Sequence, residues 1–139
     1  MPRILVVDDD VPLTRALERR LQAAGFDVRT VNHARAAAAV VFQYRPDLVL
    51  LDIEMPSYTG LEFHECLRGS DRGRGIPIVY MTGHDCSIYR EQAREQGASG
   101  FLAKPYEAST LLDTVRETLV GFADVHSHSR TPEPVQTPR

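Results

Sequence analysis

The chain has 139 residues, of which 42% are hydrophobic and 25% charged, the length and composition of one ordinary globular domain with a single core. A formal net charge of −3 and a sequence pI near 5.9 supply no basic face to displace counterions from phosphates, which excludes a general nucleic-acid binder. No apolar run reaches the length of a membrane span, and MPRILVV lacks the charged region, long apolar stretch and cleavage site of a signal peptide, so a cytoplasmic domain without membrane contact is expected.

Residues 3–7 (RILVV) form a continuous apolar run closed by Asp8-Asp9-Asp10, the pattern of a strand buried on both faces. Leu13, Leu17, Leu21 and Ala24 then recur at helical spacing, with Pro12 in the first turn and Gly25 as the left-handed end. Residues 26–31 alternate like a strand. The alanine-rich stretch 34–44 predicts a helix that stops before Pro46. The cycle repeats: a strand over 48–51 with Asp52 at its end, a loop holding Met55, Pro56 and Gly60, and a short helix over 61–68.

Residues 69–75 (GSDRGRG) read as a flexible, solvated loop, and 76–81 as a fourth strand that admits Pro77 only near its start. A fourth helix with a thin apolar face is expected over 88–96, a fifth strand over 100–103, and a fifth helix over 107–120 carrying Leu111, Leu112, Val115 and Leu119 on one stripe. Five strands alternating with five helices predict a doubly wound α/β domain over 1–121. Residues 122–139, with Pro132, Pro134 and Pro138, predict a disordered tail or linker, in which His126 and His128 are incidental. Cys66 and Cys86 have no ligand-like spacing and are expected to be reduced, structural thiols.

In open α/β sheets, ligands bind beyond the carboxyl ends of the strands, where strand order reverses. The reactive side chains fall there in four separate segments: Asp8 and Asp9 after the first strand, Asp52 after the third, Thr82 after the fourth, Lys104 after the fifth. Helix capping accounts for one acid of the Asp8–Asp10 run, and Asp10 can supply it. The other two repel each other and Asp52 unless a cation intervenes, and an all-oxygen set suits a hard ion, Mg²⁺ especially. A carboxylate can also be a nucleophile toward phosphorus, and phosphoryl transfer needs mainly positioning and charge neutralisation, which Lys104 and the Thr82 hydroxyl would provide.

The segments ILVVDDD, LVLLDIEMPSYTGLEF, PIVYMTGH and GASGFLAKPY occur in an order and spacing that resemble the receiver domain of two-component response regulators, over roughly residues 3–121. The resemblance implies a flavodoxin-like five-stranded parallel sheet of order 2-1-3-4-5 with five flanking helices. It implies that Asp52 accepts a phosphoryl group from a histidine kinase or histidine phosphotransfer protein. Asp8, Asp9, Asp52 and the backbone carbonyl of Glu54 would bind Mg²⁺, for which Mn²⁺ can substitute. Thr82 and Phe101 would be the switch pair, Lys104 would contact the phosphoryl group, and the Lys104–Pro105 bond would be cis. Glu54 and His84 occupy positions that tune phosphoryl lifetime in the family. Output would pass to a downstream protein or domain through the fourth helix, fifth strand and fifth helix. The chain would be a phosphoacceptor assisting its own phosphorylation and dephosphorylation, not a turnover enzyme.

Other readings compete. Asp8-x-Asp10 resembles the nucleophile motif of haloacid-dehalogenase-type phosphatases, with Asp8 as nucleophile and Asp10 as acid, although the chain is short for that fold and the reading leaves Asp52, MTG and KP unused. A degenerate receiver acting only as a docking module is a second alternative. A flavin-binding domain is disfavoured, because the rim carries carboxylates in place of a phosphate-cradling loop.

Overall fold

Five strands, β1 (Arg3–Val7), β2 (Asp27–Val31), β3 (Leu48–Asp52), β4 (Ile78–Thr82) and β5 (Gly100–Ala103), form one parallel sheet of order β2-β1-β3-β4-β5. The computed structural model describes residues 1–53, 60–71, 73–83, 91, 94–95, 97–104 and 106–130. Among them are the helices α1 (Val11–Ala23), α2 (Ala34–Tyr44), α3 (Gly60–Arg68) and α4 (Ala108–Arg130), the last being the helix expected as the fifth. The fourth expected helix falls mostly outside the described residues, of which Glu91, Arg94 and Glu95 are helical.

β1 and β3 are buried along almost their whole length because alternate side chains face different helical layers. Ile4, Val6, Leu48, Leu50, Val79 and Met81 pack with Leu17 and Leu21 of α1 and Leu111 and Val115 of α4. Leu5, Val7, Val49, Leu51, Ile78 and Tyr80 pack with Val41 and Tyr44 of α2 and Phe63 and Leu67 of α3. Right-handed crossovers produce this division. The chain steps outward from β1 to β2, then back across β1 to β3, so α1 and α2 lie on opposite faces. The reversal opens a crevice between the carboxyl ends of β1 and β3.

Local signals behave as expected at α1. The Asp10 carboxylate accepts the Leu13 N–H at 3.1 Å, Pro12 lies in the first turn, and Gly25 takes φ 98°. Three stretches differ. β4 begins at Ile78 and leaves Pro77 outside it, where its carbonyl accepts the Val49 N–H without needing a proline donor. The 69–75 segment is not simply an open loop: Gly73–Gly75 is a 3₁₀ turn, and Gly73 is buried so tightly on α3 that a Cβ would lie 2.7 Å from the Leu67 carbonyl oxygen. The helix expected over 107–120 runs on to Arg130. Its end, FADVHSHSR, contains neither Gly nor Pro.

Candidate functional site

The sheet register brings the acidic segments level. Val7 pairs with Leu51, so Asp8, one residue on, stands beside Asp52 across the crevice. Both are withdrawn from water, at 1% and 5% exposure, whereas Asp9 is exposed. Oxygens of Asp8, Asp9 and Asp52 lie within 4.8 Å of one another. Lys104 follows β5 and reaches back over the rim. Its Nζ donates to Asp8 Oδ2 at 2.8 Å and stands 3.6 Å from Asp52 Oδ1. Thr82 ends β4 with 4% exposure, and its carbonyl accepts the Lys104 N–H at 2.7 Å. The structure therefore brings together Asp8, Asp9, Asp52, Thr82 and Lys104 from four segments. Glu54, His84 and Pro105, and with them the expected carbonyl ligand and cis bond, lie outside the described residues.

The electrostatics follow from this crowding. Partial burial raises the Asp9 carboxyl above the usual carboxylate range, helped by its hydrogen bond to Asp8 and by the Asp8 charge. For Lys104, burial works against the ammonium, but the hydrogen bond to Asp8 and the charges of Asp52 and Asp8 outweigh it and hold its pKa above the ordinary value. One cation thus serves two buried anions, with a third carboxylate beside them. Oxygen donors from three carboxylates fit a hard divalent cation. Asp10 stands apart from this set, as the cap of α1.

Phe101 is half-buried on β5 and stacks on its register partner Tyr80, with ring centroids 6.0 Å apart at 24°. Beneath them lies a group that sequence reasoning missed. His64 is buried in α3 with its Nδ1 2.9 Å from the Tyr80 hydroxyl. The available signal was its helical position beside Phe63 and one turn before Leu67, on the face that packs on the sheet. Burial, and then the Arg68 charge, depress its pKa from 6.5 to about 4. Also missed was Asn32, directly after β2, whose Nδ2 donates to the Asp8 carbonyl at 2.8 Å and to Thr14 Oγ1 at 3.0 Å. A polar residue closing the strand next to β1 was its only sequence sign. Tyr106 lines a cleft of about 330 Å³ with Asp10, Leu13, Arg20 and Lys104, and burial comes first among the causes that raise its hydroxyl pKa to about 12.

A doubly wound parallel sheet, with carboxylates and one lysine gathered at its topological switch, defines an α/β domain built to handle a hard cation or an anionic group at that crevice. The sequence profile of the response regulator receiver domain matches residues 4–116, and the chain belongs to that family. It is 36% identical over 117 residues to the DNA-binding response regulator MtrA of Mycobacterium tuberculosis, covering 84% of this chain and 50% of that protein. It is 32% identical over 119 residues to the DNA-binding dual master transcriptional regulator RpaA of Synechocystis, covering 86% and 49%. The chain thus spans about half the length of these curated relatives. The chemotaxis protein CheY4 of Vibrio cholerae superposes with a TM-score of 0.81 at 31% identity, over 85% of this chain and 98% of that one. Among the described residues, no helix is long and apolar enough to cross a membrane.

Proposed function

We propose that Asp52 is a phosphoacceptor, taking a phosphoryl group from a phosphohistidine on a histidine kinase or phosphotransfer protein. The observation that carries the reading is the convergence of the Asp8, Asp9 and Asp52 oxygens within 4.8 Å under the single ammonium of Lys104. A carboxylate oxygen of Asp52 attacks phosphorus. The new P–O bond forms as the P–N bond of the donor breaks, and the bonding pair returns to the imidazole nitrogen. Mg²⁺, or Mn²⁺ in its place, would be held by Asp8, Asp9, Asp52 and the Glu54 carbonyl. When bound, it supplies positive charge for the transferring oxygens. Lys104 pairs with a second phosphoryl oxygen, and the Thr82 hydroxyl donates to a third. Asp52 is consumed in the step and regenerated only by hydrolysis, so the domain acts as a switch that assists its own phosphorylation and dephosphorylation, not as a turnover enzyme.

The Asp10 carboxylate accepts the Leu13 N–H at 3.1 Å as the cap of α1, which speaks against its service as the general acid of the phosphatase reading. Signal output then runs from Thr82 through Phe101 to the surface around β5 and α4. The names of the curated relatives make a DNA-binding output module one candidate recipient. Incubation with acetyl phosphate and Mg²⁺ should add one acid-stable, base-labile phosphoryl group, mapped by mass spectrometry to Asp52 and absent in Asp52→Asn. Labelling at Asp8 instead would overturn the proposal.

A further inference from the structure

Asp8 and Asp9 are consecutive, and consecutive residues of an extended chain point to opposite faces. For both carboxylates to reach the same few ångströms as Asp52, the chain must turn between them, and it bends at Asp9. The peptide unit joining them is planar, so the Asp8 carbonyl and the Asp9 nitrogen rotate together. Whatever holds that carbonyl also fixes the plane from which the Asp9 side chain departs, leaving only the torsion about its N–Cα bond.

Asn32 holds it. Its amide has two N–H groups and meets two acceptors, the Asp8 carbonyl at 2.8 Å and Thr14 Oγ1 at 3.0 Å. The donor order is unambiguous. Thr14 is 1% exposed and gives its own hydroxyl hydrogen to the Val11 carbonyl at 2.9 Å, so toward Asn32 it can only accept. The Asp8 N–H meanwhile donates to the Val31 carbonyl at 3.1 Å. The Asp8–Asp9 turn is thus tied to the end of β2 and, through Thr14, to the first turn of α1. Only a group with two donors fits between these acceptors. An aspartate at position 32 would set oxygen against oxygen.

We infer that Asn32, braced by Thr14, is a positioning residue that presets the Asp8–Asp9 peptide so that both carboxylates face Asp52 before a cation arrives. The inference rests on the cation-assisted reading of the site proposed above. Asn32 is exposed overall, so a leucine of similar size removes the donors without opening a core cavity.

The test is calorimetric Mg²⁺ titration of the folded full chain, well below its unfolding temperature, with urea stability measured separately. Asn32→Leu should bind Mg²⁺ about tenfold more weakly, the order seen when partners that orient metal ligands are removed. Thr14→Val, which keeps the shape and loses the hydroxyl, should weaken it in the same direction by a smaller factor, and Thr14→Ser should restore wild-type affinity. A merely structural clamp would lower stability and leave the Mg²⁺ affinity of the folded protein alone. Affinities within twofold of wild type for both Asn32→Leu and Thr14→Val would overturn the inference while leaving the site reading intact. A wild-type protein that binds no Mg²⁺ would overturn the site reading, and this inference with it.

Discussion

Acidification should unfold this domain partly through one residue that takes no part in the acidic site. His64 is 4% exposed, with Nδ1 2.9 Å from the Tyr80 hydroxyl and its ring 5.6 Å from that of Tyr80. Burial and Arg68 hold its pKa at about 4, against 6.5 when free. Between these values the unfolded chain takes up a proton that the folded chain refuses, so stability rises with pH across the window. The contribution is fully present above pH 6.5, falls by about 2 kcal/mol at pH 5, and is lost by about 3 kcal/mol below pH 4, at roughly 1.4 kcal/mol per unit. His64→Leu removes this dependence. It also removes the Tyr80 hydrogen bond, which costs about 1 kcal/mol at pH 7. The variant should therefore be the less stable protein at neutral pH and the more stable one in acid, with the curves crossing at roughly pH 5–6. Urea unfolding followed by circular dichroism from pH 7.5 to 4, at constant m-value, gives the two curves. Every carboxylate is common to both proteins, so their difference isolates His64. Parallel curves over the whole range, or a His64 resonance titrating near its ordinary pKa, would refute the reasoning.

Other outcomes follow from the same geometry. Gly73→Ala sets a methyl 2.7 Å from the Leu67 carbonyl and 2.9 Å from its side chain, and should destabilise the fold by about 1–3 kcal/mol in chemical denaturation, the range for overpacking. Mg²⁺ at ten times its dissociation constant should stabilise the wild type by about 1.4 kcal/mol through mass action, read as a thermal shift that Asp9→Ala largely abolishes. Thr82→Ala should still take a phosphoryl group or its beryllofluoride mimic, yet lose most of the amide shifts that the wild type transmits to Phe101 and beyond. Shifts confined to the loops around Asp8, Asp52 and Lys104 in the wild type would place the signalling surface elsewhere.

Much of the architecture was legible because it is written in short range. Apolar runs such as RILVV and LVLLD declare strands covered on both faces. Asp10, Pro12 and Gly25 delimit α1 through interactions spanning three or four residues. The alternation of such elements imposes the doubly wound class. Asp8, Asp52, Thr82 and Lys104 could be placed on one rim before any coordinate was known, because right-handed crossovers leave the carboxyl ends of parallel strands at one edge.

The tertiary structure alone decided the contacts between residues whose local sequence carries no sign of a partner. His64 meets Tyr80 across 16 positions, Asn32 meets Thr14 across 18 and the Asp8 carbonyl across 24. Each is a polar residue whose composition and spacing suit a solvated surface equally well. Gly73 looked like part of a flexible loop, because nothing in GSDRGRG shows that α3 will pass within van der Waals contact of it. Local conformation depends on neighbours in the chain and can be read from them. A buried hydrogen bond or a close approach depends on which elements packing sets face to face, and that is determined only when the helices settle on the sheet.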